Sequence, residues 1–210
     1  MNIYAYGCSC TVGAGVQEDE KYLSILGELT NATELKNFGK AGHSNDFISR
    51  TLVESIELDN PPDLVVVLFT RHSRAEFINT DGEIKPFIIH KLKLIKDKPE
   101  SEYTSEEIDL WSYYNLYNDY IGAYSFLKSV LLCQLFLEQY KIPYIFSSIV
   151  LQEFPPEHLM KNPTLNSFIS KIDWTKFIQF EFKDKGYDNA HPGVLSHKQF
   201  AKNIYGAILK

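Results

Sequence analysis

Ile3-Tyr4-Ala5-Tyr6-Gly7-Cys8-Ser9-Cys10-Thr11 is the stretch whose reading decides the fold. An apolar and aromatic run with β character breaks at Gly7, and Ser9 follows within two residues. Thr11-Val12-Gly13-Ala14-Gly15 then leads into a helical pattern. A strand that stops at a glycine and hands a serine to the next helix holds that hydroxyl at the strand's C-terminal end. Open α/β sheets gather their active sites there. The hydroxyl is a weak nucleophile until a base is brought to it. The far end of the chain offers one, in Asp188-Asn189-Ala190-His191-Pro192.

Working outward from the serine, Tyr22, Leu23, Ile25, Leu26 and Leu29 form an apolar stripe at helical spacing. Thr33 to Phe38 reads as a second strand that breaks at Gly39-Lys40-Ala41-Gly42, with Ser44 or Asn45 capping a helix from Asp46 to Leu58. Asp63-Leu64-Val65-Val66-Val67-Leu68-Phe69 is a continuous run of the kind found in parallel strands buried on both faces. Beyond Arg74 the pattern changes. Phe77-Ile78 and Phe87-Ile88-Ile89 flank Thr80-Asp81-Gly82, a hairpin signal, and a Lys-rich loop runs to Pro99. We read about 74–103 as an insertion in a single domain spanning 1–210.

Thr104-Ser105-Glu106-Glu107 resembles a capping box opening a long helix that runs to Tyr140, with Gly122 as a candidate kink. Ile142 to Phe146 reads as a fourth strand, and Gln152 to Asn166 as a Pro-punctuated loop. A fifth strand or its remnant is expected within Trp174 to Phe182, and a closing helix over Val194 to Leu209. Strands alternating with helices call for a mostly parallel five-stranded sheet covered on both faces, a three-layer α/β sandwich. Ser9, Gly42, the Phe69-to-Arg74 turn and the Asp188-to-His191 loop then meet at one rim.

The composition fits one globular α/β unit: 210 residues, 44% hydrophobic and 23% charged, with a formal net charge of −6. That sign argues against nucleic acid or an anionic membrane as partner, since no basic surplus exists to neutralise phosphates. No apolar run approaches the ~20 residues of a membrane span. Cys8 and Cys10 are too close in sequence to close an ordinary disulfide, and with Cys133 they fit a reducing compartment. No secretory signal precedes the first strand, so the expectation is a cytoplasmic or virion-associated protein. Cys8 and Cys10 lack partners at zinc-ligand spacing and read as packing residues, so no metal site is expected.

Ser9, Asp188 and His191 meet the needs of an acyl-transfer triad. One ring nitrogen of His191 must reach the serine hydroxyl, and the other must be held by Asp188 three residues earlier. These residues resemble the SGNH (GDSL-like) hydrolases. Gly7-Cys8-Ser9-Cys10-Thr11 is similar to their first block, G-D-S-x-T, with Cys8 in place of Asp. Asn37-Phe38-Gly39-Lys40-Ala41-Gly42 is similar to the second, whose last glycine gives an N–H to the oxyanion. Asp188-Asn189-Ala190-His191 is similar to the last, D-x-x-H. The third block, G-x-N-D, is replaced by Thr70-Arg71-His72-Ser73-Arg74, which carries no Asn.

The resemblance implies a flavodoxin-like fold and hydrolysis of an ester, an acylated carbohydrate among the candidates, with no cofactor. Ser9 is then the nucleophile, His191 the base and Asp188 its orienting carboxylate. The backbone N–H groups of Ser9 and Gly42 form the oxyanion hole, with His72 in the place of the missing Asn and Thr70 or Arg74 facing the substrate. The G-C-S form with an arginine after the third strand also resembles relatives in phage genomes. The competing expectation is therefore a virion-associated structural or carbohydrate-binding protein that keeps the fold with little turnover. Virion or homo-oligomer partners belong to that reading.

Overall fold

The central strand is Leu64–Phe69, β3, and all six of its residues are buried. In the computed structural model, residues 1–79, 81–88, 104, 116–149 and 161–209 are described. β3 lies between Asn2–Gly7 (β1) and Tyr144–Ser148 (β6), and Glu34–Asn37 (β2) pairs with the other edge of β1. All three pairings are parallel, with Ala5 opposite Asn37, Gly7 opposite Leu68 and Phe69 opposite Ser148. The order β2-β1-β3-β6 is the leading part of the flavodoxin-type order.

The sheet alternates its side chains between two cores. Tyr4, Tyr6, Val65, Val67 and Phe69 face one, with Asn45–Ser55 (α3) and Asp119–Gln139 (α4) packed over them. Ile3, Ala5, Leu64, Val66 and Leu68 face the other, under Tyr22–Thr30 (α2) and Val194–Ile208 (α6, the closing helix). Burial on both faces explains the unbroken apolar run of β3. The α/β sandwich expected from the sequence is therefore present.

Among the described residues the sheet has four strands, not five. Where the fifth was expected, Asp173 accepts from the Thr175 N–H and winds Trp174–Lys176 into a 3₁₀ turn. Only one parallel bridge remains, Phe177 to Phe146, with Ile178 N donating to Phe146 O at 2.9 Å. A local side-chain bond has won over a longer ladder. The hairpin is present as Arg74–Ile78 (β4) paired antiparallel with Ile84–Ile88 (β5). Asn79 Oδ1 accepts from the N–H groups of Asp81 and Glu83 and shapes its turn.

The expected capping box at 105–107, the Lys-rich loop beyond 88 and most of the 152–166 loop lie outside the described residues. Helix α4 opens at Asp119, where Asn118 Oδ1 caps the Ile121 N–H at 3.0 Å. Gly122 therefore sits in its first turn rather than at a mid-helix kink, packed against Tyr117 and the His72 carbonyl. By length and composition α4 could cross a membrane, but Phe126, Leu127, Val130 and Leu137 are buried in the core beside α3. Pro163–Ile169 (α5) packs against its outer turns.

Candidate active site

Gly7 ends β1 because nothing larger fits. A Cβ there would overlap the Thr11 side chain and lie 2.8 Å from Leu68 O. The chain turns and enters α1 (Ser9–Val12), a single helical turn headed by Ser9, which is 4% exposed. The turn is held from three sides. Asn37 Nδ2 donates to Thr11 O at 2.7 Å, Lys40 N to Gly7 O at 3.0 Å, and Tyr22 OH to Thr11 Oγ1 at 3.3 Å. Tyr22 is fixed in turn by its N–H, which donates to His197 Nδ1 at 3.2 Å. Burial lowers the His197 pKa to about 4, so this histidine is neutral and structural.

The segment after α1 carries the serine turn to the other end of the chain. Tyr187 N donates to Gly15 O at 2.7 Å, and Gly15 has φ +87. A Cβ on Gly15 would stand 2.9 Å from Asp188 Oδ1 and 3.2 Å from His191 Cβ. Asp188 Oδ1 accepts from the N–H groups of Ala190 and His191, both at 3.0 Å, and Asp188 Oδ2 lies 2.5 Å from His191 Nδ1. The backbone N–H of His191, that of Ala190 and the imidazole hold the Asp188 carboxyl well below the usual carboxylate range. With Nδ1 engaged, Nε2 is the nitrogen left for chemistry.

Asp184 anchors the same loop from behind. Burial alone would raise its carboxyl, but Ser196 Oγ and the N–H groups of Leu195 and Ser196 together bring it below the usual range. Those bonds tie the loop to the first turn of α6.

Ser9 and His191 line one cavity of ≈300 Å³, together with Cys10, Arg71, Ser73 and Arg74 on its polar side. Ile149, Phe180 and Phe182 supply apolar wall. The Ser9 hydroxyl is directed to Cys8 Sγ at 3.9 Å, so a rotation about its χ1 is needed before it engages an imidazole. The Cys8 and Cys10 thiols act on each other. Cys8, which Cys10 and the charge of Arg74 lower, is the more acidic thiol, while Cys8 and burial push Cys10 up. Both are enclosed, as packing residues are.

The other residues singled out from the sequence are distributed differently. Gly42 adopts φ +81 with open space where a Cβ would be, and is not among the described residues lining the cavity. Thr70 is fully buried beneath the rim. Asn45 Nδ2 donates to Thr70 O at 3.1 Å and Asn45 Oδ1 accepts from Thr70 N at 2.8 Å. His72 turns away toward α4, with Nε2 4.0 Å from Asp119 Oδ1, and is not among the lining residues. Arg74 does line the cavity. Arg71 and Ser73, on either side of His72, were missed by a reading that looked for a replacement Asn rather than for the face the turn presents. Phe180 and Phe182 were hidden in the stretch whose periodicity did not separate strand from helix.

No family model matches the sequence, and no curated protein matches it either. Solved structures do match the fold. TesA superposes with a TM-score of 0.56 at 9% identity, over 99% of this chain and 98% of its own. The acetyl xylan esterase AlAXEase gives 0.52 at 14%, over 99% and 100%. A protein assigned to the lipolytic G-D-S-L family from Desulfitobacterium hafniense DCB-2 gives 0.51 at 13%, over 98% of each chain. The chain therefore has the fold of the SGNH (GDSL-like) hydrolases along its whole length.

Proposed function

We propose that the protein is a serine esterase of the SGNH type, with Ser9, His191 and Asp188 as its triad. The observation that carries the reading is that His191, tethered through Nδ1 to Asp188, shares a cavity with Ser9 at the C-terminal rim of a parallel sheet. The fold shared with an acetyl xylan esterase supports an ester as substrate. An acyl group on a carbohydrate is one fitting form of it.

Ser9 Oγ, turned from Cys8 toward His191, attacks the ester carbonyl while His191 Nε2 takes its proton. The new C–O bond forms, the carbonyl electrons move to oxygen, and collapse expels the alcohol, which leaves with the proton from His191. Water attacks the acyl-enzyme by the same route and frees the acid and Ser9. Asp188 keeps the imidazole in the tautomer with Nε2 available and stabilises the imidazolium. The N–H of Ser9, at the head of α1 and unused by the helix itself, is one oxyanion donor, and the N–H of Gly42 is assigned as the second. The third block carries no Asn to serve as side-chain donor, and the neighbouring Asn45 is committed to the Thr70 backbone. One absent donor lowers kcat by about 10²–10³, so a slow esterase is expected.

A fluorophosphonate probe should label Ser9 in the native protein, and Ser9→Ala should abolish both labelling and turnover of an activated ester. Asp188→Asn should lower kcat by up to ~10⁴ while the fold survives. Native protein that resists labelling, or turnover that persists in Ser9→Ala, overturns the triad and leaves a binding protein on the hydrolase fold.

A further inference from the structure

The polar lining of the cavity is cationic. Among its described residues are the two cations Arg71 and Arg74, and no carboxylate. Arg74 has one terminal nitrogen, Nη1, enclosed by protein and without a hydrogen-bond partner. Three acids among the described residues have their own partners: Asp188 pairs with His191, Glu76 with Arg50, and Asp119 Oδ1 stands 4.0 Å from His72 Nε2. Among the described residues neither Arg71 nor Arg74 forms an ion pair, although the chain as a whole is acidic at −6.

A guanidinium keeps its charge at any ordinary pH, so it cannot relieve enclosure by losing a proton. A permanent cation without a counter-charge at the wall of a partly enclosed cavity is costly, and an anion set against the part of the Arg74 guanidinium that lines the cavity lowers that cost. Arg74 lines the same cavity as Ser9 and Cys10.

We propose that the cavity is built for an anionic ester, with a carboxylate or phosphate group of the substrate seated on Arg74 and Arg71 while its carbonyl faces Ser9. This rests on the esterase reading for the ester, but the anion site stands on Arg74 itself. The substrate then divides its contacts. Its charged end lies on the β3–β4 turn, Ser73 offers that end a hydroxyl, and any apolar carbons lie along Ile149, Phe180 and Phe182. A neutral acyl group fills the same volume without answering the charge of Arg74 and Arg71, so selectivity comes from the turn that replaces the third block.

Binding to the Ser9→Ala protein, which has no nucleophile, tests this without turnover. Monomethyl adipate against methyl hexanoate compares a carboxylate with a neutral chain. Butyryl glycerol 3-phosphate against monobutyrin does the same for phosphate. Calorimetry should show the anionic member of at least one pair bound roughly tenfold or more tightly, and the stronger pair identifies the anion. Arg74→Gln should erase that preference and Arg74→Lys restore part of it. Arg71→Gln, at an exposed position where folding is not at risk, should weaken it by a smaller factor.

The preference should also shrink with added salt. Equal binding within both pairs, or a preference that survives Arg74→Gln in a protein that melts normally, overturns the proposal. Fluorophosphonate labelling reports separately on the esterase reading, so anion selectivity without labelling leaves the anion site intact and removes only the chemistry.

Discussion

Two turns at the same rim of the sheet, each following a buried parallel strand, are held in opposite ways. The turn after β1 is fixed by steric exclusion and by bonds from three other segments. Gly7 has no room for a Cβ, and Asn37, Lys40 and Tyr22 each bond the serine turn. The turn after β3 is held by two side chains, Asn45 at Thr70 and Tyr117, whose hydroxyl donates to His72 O at 3.1 Å, while Arg71, Ser73 and Arg74 line the cavity. Such a division suits a site in which chemistry needs a fixed atom and selectivity resides in a replaceable surface.

The largest effect is expected where steric exclusion is absolute. Gly7→Ala places a methyl against Thr11 and Leu68 O, neither of which can move without shifting α1 or β3. Overpacking of that kind in a core costs about 3 kcal/mol. Chemical denaturation should show such a loss, with fluorophosphonate labelling impaired in whatever folds. A variant as stable as the parent would mean that the serine turn has slack, and the contrast between the turns would fail.

The next effect is in acid. His197 supports the serine turn through Tyr22, and its folded pKa of about 4 lies below the ordinary 6.5. The unfolded chain therefore binds the extra proton first. Stability is fully present above pH 6.5 and falls as pH drops toward 4, by roughly 3 kcal/mol if His197 alone is responsible. Asp184, on the far side of this histidine, is itself below the usual range, so its own loss comes at lower pH. Glu76, raised mainly by burial, works in the opposite sense, since protonating it favours the fold. Urea titrations from pH 7 to 4 on the parent and on His197→Gln should separate the terms. A parent curve that stays flat through this window refutes the acid sensitivity assigned to the serine turn.

The two turns were also unequally legible in the sequence. The placement of Ser9 after a strand stopping at Gly7, and of Asp188 against His191, could be read because local rules govern it: a glycine ends the strand, and a carboxylate folds back on a histidine three residues later. The β2-β1-β3 core was legible for the same reason, since Val65 to Phe69 is apolar without interruption. The cavity walls were not. Phe180 and Phe182 lie past a 3₁₀ turn made by Asp173, and their placement follows from one bridge to Phe146 rather than from any period in the chain. The start of α4 at Asn118 was passed over because the apolar period from Tyr117 to Leu135 runs straight through it. His72 looked like the replacement donor because spacing counts residues and does not register that the turn points it toward Asp119.

The smallest effect is expected at Asn45, and it probes the open turn directly. Asn45→Ala leaves the buried N–H and C=O of Thr70 without partners, a loss of about 2 kcal/mol. Asn45→Asp keeps an acceptor for Thr70 N but offers no donor to Thr70 O, and adds charge at a position 2% exposed, so it should not be milder. The sharper readout is functional. If Asn45 only stabilises, both variants should lose melting temperature while binding of neutral and anionic esters falls together. If it aims the arginines, Asn45→Ala should selectively weaken the anionic member, with Ser9 still labelling at nearly the parental rate. Labelling lost in step with anion binding would show that the two turns move as one unit. The fixed nucleophile and the replaceable surface would then be a single structure.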